Sequence, residues 1–276
     1  MKKFIIKIFE NLRKLCGIGL ITKRLNQIYD IALFREYSDR RRVHINPLNK
    51  SKFYGFSQND EDGITLEIFK RIGLKKGFFV EFGPGNGLEN NTIILLASGW
   101  NGAWFGGQAI AFDISQSTKL QFERVWITKE NIIQLYESLN KEVDVVSLDL
   151  DGNDIYLIEQ LLANGVKPKL FIVEYNAKFP PPIEFRIDYD EHHNWTLDDY
   201  FGASLSSFNS VFTKFGYRLV CCNTSGSNAF FIHKSYEDKF ADVPNDINEI
   251  YSEPFNFTRS KKMNPTSAKT IEKLIK

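Results

Sequence analysis

The sequence predicts an α/β protein built on a doubly wound, mostly parallel sheet that finishes in one antiparallel hairpin. Near-continuous apolar runs alternate with helix-like segments from Gly77 onward, the pattern of parallel strands covered on both faces. The first run leads straight into glycines, "FFVEFGPGNG", as a strand-to-loop junction at the carboxyl edge of such a sheet does. The last two runs, "YRLVCCN" and "NAFFIHK", are separated only by "TSGS", too short for a crossover, so they pair antiparallel.

The strand runs fall at 78–82, 102–106, 123–128, 143–150, 169–175, 217–223 and 228–234. Between most of them lie helix-like segments, "NNTIILLAS", "KENIIQLYESLN", "DIYLIEQLLANG" and "GASLSSFNSVFTKFG". Ahead of the first strand, "SQNDEDGITLEIFKRIG" places Ile64, Ile68 and Ile72 on one helical face, with Asn59, Asp60 or Asp62 available as a cap. Residues 1–50 read as a helical extension, with Leu25, Ile28 and Leu33 on one side and "FREYSDRRRV" after them. Charges on every turn favour packing against the main domain or a second copy, through the N-terminal helices, over a place on a membrane surface. The expected domains are this extension, a main domain at 51–235, and a C-terminal arm at 236–276 that closes with a short capped helix, "TSAKTIEKLIK".

Composition narrows the partners. Lys and Arg number 35 against 34 Asp and Glu, a formal charge of +1 that gives no reason to expect nucleic acid. Cys16, Cys221 and Cys222 lack metal-site spacing, and the adjacent pair sits in an apolar run, which suits a reducing, cytoplasmic setting. Charged residues interrupt the opening "MKKFIIKIFENLRKLC", so it reads neither as a signal peptide nor as a transmembrane segment.

"GPGNG" has glycines at 83, 85 and 87 and Leu88 where a dinucleotide fingerprint needs its third glycine, and no Gly-Lys-Ser/Thr follows for a P-loop. Such a loop lets backbone approach a ligand closely. Glu81 ends the buried first strand, where a carboxylate needs a partner; a ligand ammonium is one and a structural pairing is the other. "SLDLDGNDIY" imitates a calcium loop but has its glycine fourth rather than sixth, and it ends a strand. Asp149 and Asp151 alternate, so they can face one site, and Glu174 and Asn176 of "VEYN" end the next strand beside them. These groups can orient a hydroxyl, accept its proton or hold a divalent cation, while a helix cap from Asp151 or Asn153 explains part of the pattern without chemistry. His192 and His193 in "DYDEHHNW" are candidate general bases, as loop histidines beside acids, or surface residues.

Taken together, "SQNDEDG", "FVEFGPGNGLENNT", "SLDLDGND", "FIVEYNAKFPP", "YFGASLSSF" and "NAFFI" resemble, over about residues 54–234, the FkbM-like methyltransferases encoded in bacterial capsule and lipopolysaccharide loci. The resemblance implies a Rossmann-like class I methyltransferase fold, S-adenosyl-L-methionine as cofactor, and O-methylation of a sugar or nucleotide-sugar. By matching positions it implies that Glu81, Gly83, Gly85 and Asn86 form the cofactor loop, that Ser57 and Gln58 close over the methionine end, and that Asp149 faces the cofactor. Where such enzymes carry an acid for the ribose, this chain reads "AWFGGQ", which leaves Gln108 as the donor and acceptor for a diol. His193 or Asp151 is then the expected base, with Glu174, Asn176 and His192 at the acceptor; a metal, if used, would take Asp149, Asp151 and Glu174. Alternatives are a phosphate or phosphoramidate oxygen as acceptor, for which Arg124, Lys129, Lys178 and Arg186 are the basic candidates, a nicotinamide-dependent oxidoreductase, and a non-catalytic cofactor-binding partner.

Overall fold

The computed structural model describes residues 18–51, 53–254 and 266–275, in two compact units that part between His44 and Ile45. The boundary therefore falls before the expected residue 50. Asn46 and Asn49 explain it: their side-chain amides donate to the carbonyls of Val220 and Cys222, each at 2.7 Å, so the 3-10 turn Pro47–Lys50 belongs to the main unit. The C-terminal stretch belongs to that unit too, not to a separate arm. Cys16 lies outside the described residues.

Among the described residues the first unit contributes the helix α1 (Ile18–Val43). In the main unit seven strands form one sheet: β1 (Phe78–Phe82), β2 (Asn101–Gly106), β3 (Leu120–Arg124), β4 (Val145–Leu148), β5 (Leu170–Glu174), β6 (Tyr217–Cys222) and β7 (Asn228–His233). Their order is β3-β2-β1-β4-β5-β7-β6. The first five run parallel, and β7 is antiparallel to both β5 and β6. This is the doubly wound, Rossmann-like sheet with a terminal hairpin that the sequence predicts, and the strand order reverses between β1 and β4, the switch point where open α/β sheets take ligands.

The helices are α2 (Glu61–Ile72), α3 (Ile93–Ala97), α4 (Ile132–Ser138), α5 (Asp154–Ala163), α6 (Leu205–Lys214), α7 (Ile247–Ile250) and α8 (Ala268–Leu274). Two expectations need correction. The third strand lies at 120–124 rather than 123–128, because Ile127 is buried as a loop residue and Trp126 turns its indole N–H to the Glu191 carbonyl, 2.8 Å. After the glycine loop the helix has only five residues, since Asn90, Asn91 and Thr92 are drawn out of it by Glu81.

The core follows the apolar pattern. Ile64 and Ile68 of α2 are fully buried, as their spacing requires, and Ile72 packs on the core's edge. Around the hairpin the rings of Phe212 and Phe231 stack at 4.0 Å, with Phe171 and Tyr217 against them. Cys221 and Cys222 are buried free thiols in β6.

The start of α2 rests on acids rather than on a simple cap. Asp60 occupies the N-cap position, but its carboxylate accepts from the Thr224 backbone N–H and hydroxyl. Glu61 accepts from Asn223 and Asn228, at 2.5 and 3.0 Å. Asp62, fully buried, accepts through one oxygen from the backbone N–H groups of Gly55, Phe56 and Ser57, at 2.8, 2.5 and 3.1 Å. Replacing Asp62 by Ala strands these donors at partly buried positions, so urea unfolding should show a loss of about 3–5 kcal/mol, against under about 1 kcal/mol for the exposed pair partner Glu36→Ala on α1.

Candidate active site

The carboxyl ends of β1, β4 and β5 meet at one edge. After Phe82 the chain turns through Gly83, whose φ is 92° and whose missing Cβ would lie 1.8 Å from the carbonyl oxygen of Asp149. Only glycine permits this contact, because the loop after β1 lies directly on the backbone after β4. At Gly85 nothing lies within 4 Å of a Cβ position, so the crest of the loop faces open space. Asn86 is exposed and its side-chain oxygen accepts from the Leu88 N–H at 3.1 Å.

Glu81 has a different place from the one expected. It is 1 % exposed, and its oxygens accept from the side chain of Asn90 (2.6 Å), the N–H groups of Asn91 and Thr92 (3.0 and 3.2 Å) and the Thr92 hydroxyl (2.5 Å). Burial pushes its carboxyl up, and the four donors oppose that shift. Glu81 therefore anchors the far side of the glycine loop and presents no oxygen to a ligand ammonium.

Beyond β4 the chain makes a tight loop over Asp154, which is fully buried and accepts from the N–H groups of Leu150 and Gly152, both at 2.8 Å. Its carboxyl is raised to about 6, burial being the main cause. Neither Asp151 nor Asn153 caps α5 with its side chain, and Asp151 is left exposed at a φ of 56°, a left-handed conformation unusual outside glycine. One oxygen each of Asp149, Asp151 and Glu174 lie within 4.8 Å of one another. Burial, then the neighbouring acids, drive the carboxyls of Asp149 and Glu174 well above the ordinary carboxylate range. Glu174 keeps one buried oxygen without a protein partner.

His193 completes the edge. Asn153 exchanges hydrogen bonds with the backbone of Asp190 (2.7 and 3.3 Å), and this brings the His193 ring down on Gly152, where an added Cβ would meet its Cδ2 at 2.3 Å. Its Nε2 is buried and unpaired. Burial is the largest cause of its lowered pKa, so the imidazole stays neutral below the ordinary 6.5. From α8, Lys269 sits over the Tyr200 ring at 5.6 Å, and Tyr200 is 6.4 Å from His193. That helix is latched by buried Asp199, which accepts from the Ser267 N–H (2.8 Å), the Thr270 hydroxyl (2.7 Å) and Lys178 (2.6 Å).

Several expected residues serve other ends. Asn176 is 1 % exposed, donates to the carbonyls of Asp199 and Phe201 and accepts from the Lys178 N–H, so it holds the loop before α6 and is closed to an acceptor. His192 points outward beside Glu191, with 83 % of its side chain exposed. Ser57 spends its hydroxyl on Asn59 and Asp62, while Gln58 and Gln108 are exposed in loops. The four basic candidates for a phosphate are engaged elsewhere: Arg124 with the Gly107 carbonyl, Lys129 between the Tyr156 and Tyr189 rings, Lys178 with Asp199, and Arg186 with Glu159. A cavity of about 350 Å³ opens between α5, α6 and α8, but its lining touches neither the glycine loop nor the acid cluster.

No protein-family model matches the chain, and no curated protein matches it. Among solved structures it is similar to cofactor-bound Rv0187 from MTB, at 12 % identity over 74 % of this chain and 89 % of that one, with a TM-score of 0.43. It is also similar to an O-methyltransferase family protein from Burkholderia thailandensis, at 12 % identity over 57 % and 51 % and a TM-score of 0.37. A third is the MycE methyltransferase of the mycinamycin biosynthetic pathway, in complex with Mg, SAH and mycinamycin VI, at 13 % identity over 60 % and 47 % and a TM-score of 0.39. The chain spans about half the length of the last two. These likenesses concern the fold; the chemistry rests on the residues at the sheet's edge.

The close contact at Gly83 makes a sharp contrast testable by chemical denaturation. Gly83→Ala should cost more than about 3 kcal/mol or abolish soluble expression, because a Cβ has no room against the Asp149 carbonyl. Gly85→Ala, which meets open space, should cost only the ~1–2 kcal/mol of a left-handed alanine.

Proposed function

We propose that this protein is an S-adenosyl-L-methionine-dependent O-methyltransferase, and that its acceptor is a hydroxyl of a sugar. The observation that carries the reading is the open crest of Gly85 at the edge where Asp149, Glu174 and Asp151 converge beside a neutral, unpaired His193 Nε2. Glu81, Asp154 and Asn176 at that edge are tied down by protein partners. The converging acids and His193 stay available.

Bound adenosylmethionine would supply an electrophilic methyl on a sulfonium. The chain's part is to hold it and to align an acceptor. The loop of Gly83, Gly85 and Asn86 offers backbone to the cofactor's adenosyl and methionine parts, Asp149 offers it an acceptor, and Gln108 remains the candidate for the ribose hydroxyls. Ser57 and Gln58 are proposed to close the methionine end from the segment clipped by Asp62. The acceptor hydroxyl lies between Asp151 and His193. His193 Nε2 would take the acceptor's hydroxyl proton as the methyl is transferred, with Asp151 on the other side of the hydroxyl. Alignment supplies most of the acceleration and the base about 10²–10⁴-fold. Three carboxylate oxygens in reach of one another also suit a hard divalent cation, which would orient the acceptor's oxygens at the same place. The exposed Tyr54, Phe56 and Trp126 rings give apolar surfaces of the kind that stack on sugar faces. The engaged state of Arg124, Lys129, Lys178 and Arg186 favours an acceptor without phosphate over a nucleotide-sugar or a phosphoramidate oxygen. Capsule or surface-polysaccharide synthesis in the bacterial cytoplasm is the setting that fits the resemblance and the reduced Cys221 and Cys222.

The test is methyl transfer from labelled adenosylmethionine to a panel of sugars, read by mass spectrometry. His193→Ala should lower kcat about 10²–10³-fold with cofactor affinity unchanged; undiminished turnover would move the base to Asp151. Gly152→Ala, which displaces the same ring, should reproduce the loss with little change in stability.

The pH dependence has a defined sign. His193 must be neutral to accept a proton, and its pKa is depressed, so it charges only at a lower pH than a free histidine. The acid limb of the kcat/KM profile that it governs should therefore lie below pH 6.5, and that limb should vanish in His193→Ala. Exhaustive chelation that leaves turnover intact would remove the cation from the account.

A further inference from the structure

We infer that α1 lies on an anionic lipid surface and holds the enzyme there. The helix leaves large apolar side chains in the open: Leu20, Ile21, Leu25, Ile28, Ile31 and Phe34 are each more than half exposed, Ile28 at 64 %. At 100° per residue Ile21, Ile28, Ala32 and Leu25 fall in one stripe, Tyr29 borders it on one side, and Ile31 and Leu20 widen it on the other. Arg24 and Arg35 stand inside that wider side, while Thr22, Lys23, Asn26, Gln27 and Asp30 take most of the opposite arc. Phe34 alone departs from the pattern. An apolar arc with arginines at its margin suits the boundary between acyl chains and headgroups, where the side-chain stems lie in the apolar layer and the guanidinium groups reach the phosphates.

The charge distribution selects the surface. Residues 1–43 hold eleven Lys or Arg against four Asp or Glu, a formal +7, whereas the rest of the chain holds twenty-four against thirty, a formal −6. Two of the acids on α1, Glu36 and Asp39, are already paired with Arg40 and Arg42 at 3.0 and 3.1 Å. The acidic body of a second copy would answer the positive charge but not six exposed apolar side chains; an anionic bilayer answers both. Lys23, Arg24, Asp30, Arg35, Glu36 and Asp39 also bar α1 from crossing a bilayer, so it lies along the interface. The expectation that charges on every turn favour a protein partner gives way here, because the charge is mostly of one sign and the apolar residues are exposed.

Flotation of the full chain with vesicles tests this. With phosphatidylcholine–phosphatidylglycerol vesicles the protein should float, with binding at least tenfold stronger than to phosphatidylcholine alone and lost at high salt. Ile28→Asp should reduce flotation at least tenfold, and Lys23→Glu with Arg24→Glu should reduce it about fivefold for each basic charge removed. Both changes lie outside the main unit, so its unfolding midpoint should not move; if Ile28→Asp shifts it, the charge-reversed variant decides. Equal binding to neutral and anionic vesicles, or none to either, overturns the inference. So does a dimer, seen by light scattering, that Ile28→Asp converts to monomer while flotation is absent, for then a second copy covers the helix.

Discussion

A carboxylate buried without donors is too costly to keep, and this fold turns that constraint into its method of building the sheet's edge. Asp62 gathers the N–H groups of Gly55, Phe56 and Ser57; Glu81 gathers Asn91 and Thr92; Asp154 gathers Leu150 and Gly152; Asp199 gathers Ser267 and Thr270. Each loop that frames the site is wrapped on one such anion. The chain segments have little regular structure of their own, so a single acceptor that satisfies several backbone donors is what fixes them.

Against that background Asp149, Asp151 and Glu174 are the exception. They converge without comparable donors, and burial with the neighbouring acids pushes the carboxyls of Asp149 and Glu174 up. A structural cluster gains nothing from such an arrangement, whereas a site that meets a sulfonium, an ammonium or a metal ion gains a place where positive charge is welcome. His193 sits beside it with the opposite property, held neutral by burial. Carboxyls shifted upward beside an imidazole shifted downward suit an edge that moves a proton.

Much of the fold is legible in the sequence because burial and period decide it. The first strand is bounded by Phe78 and Phe82 in pattern and structure alike, and the polar link between "YRLVCCN" and "NAFFIHK" leaves no alternative to a hairpin. The third strand shifts because an apolar run, Val125 to Ile127, can bury itself as a loop, which period alone does not reveal. At the site, Gly83, Asp149, Asp151, Glu174 and His193 come together at the expected edge. Glu81 and Asn176, expected as ligand groups, take protein partners instead, since a sequence shows a carboxylate or an amide but not how many donors and acceptors the fold will bring to it. Asp154 and Asp199 carry the edge unannounced, and Asp62 and Asn153, expected only as helix caps, do so in another way, for the same reason: their partners are largely backbone groups, and every residue has those.

Cofactor choice is where the account stands or falls, and calorimetric titration of the full chain measures it most directly. One adenosylmethionine should bind per chain, adenosylhomocysteine should bind as well, and a nicotinamide dinucleotide should give no heat. Binding of the dinucleotide with none of either methionine derivative would contradict the assignment.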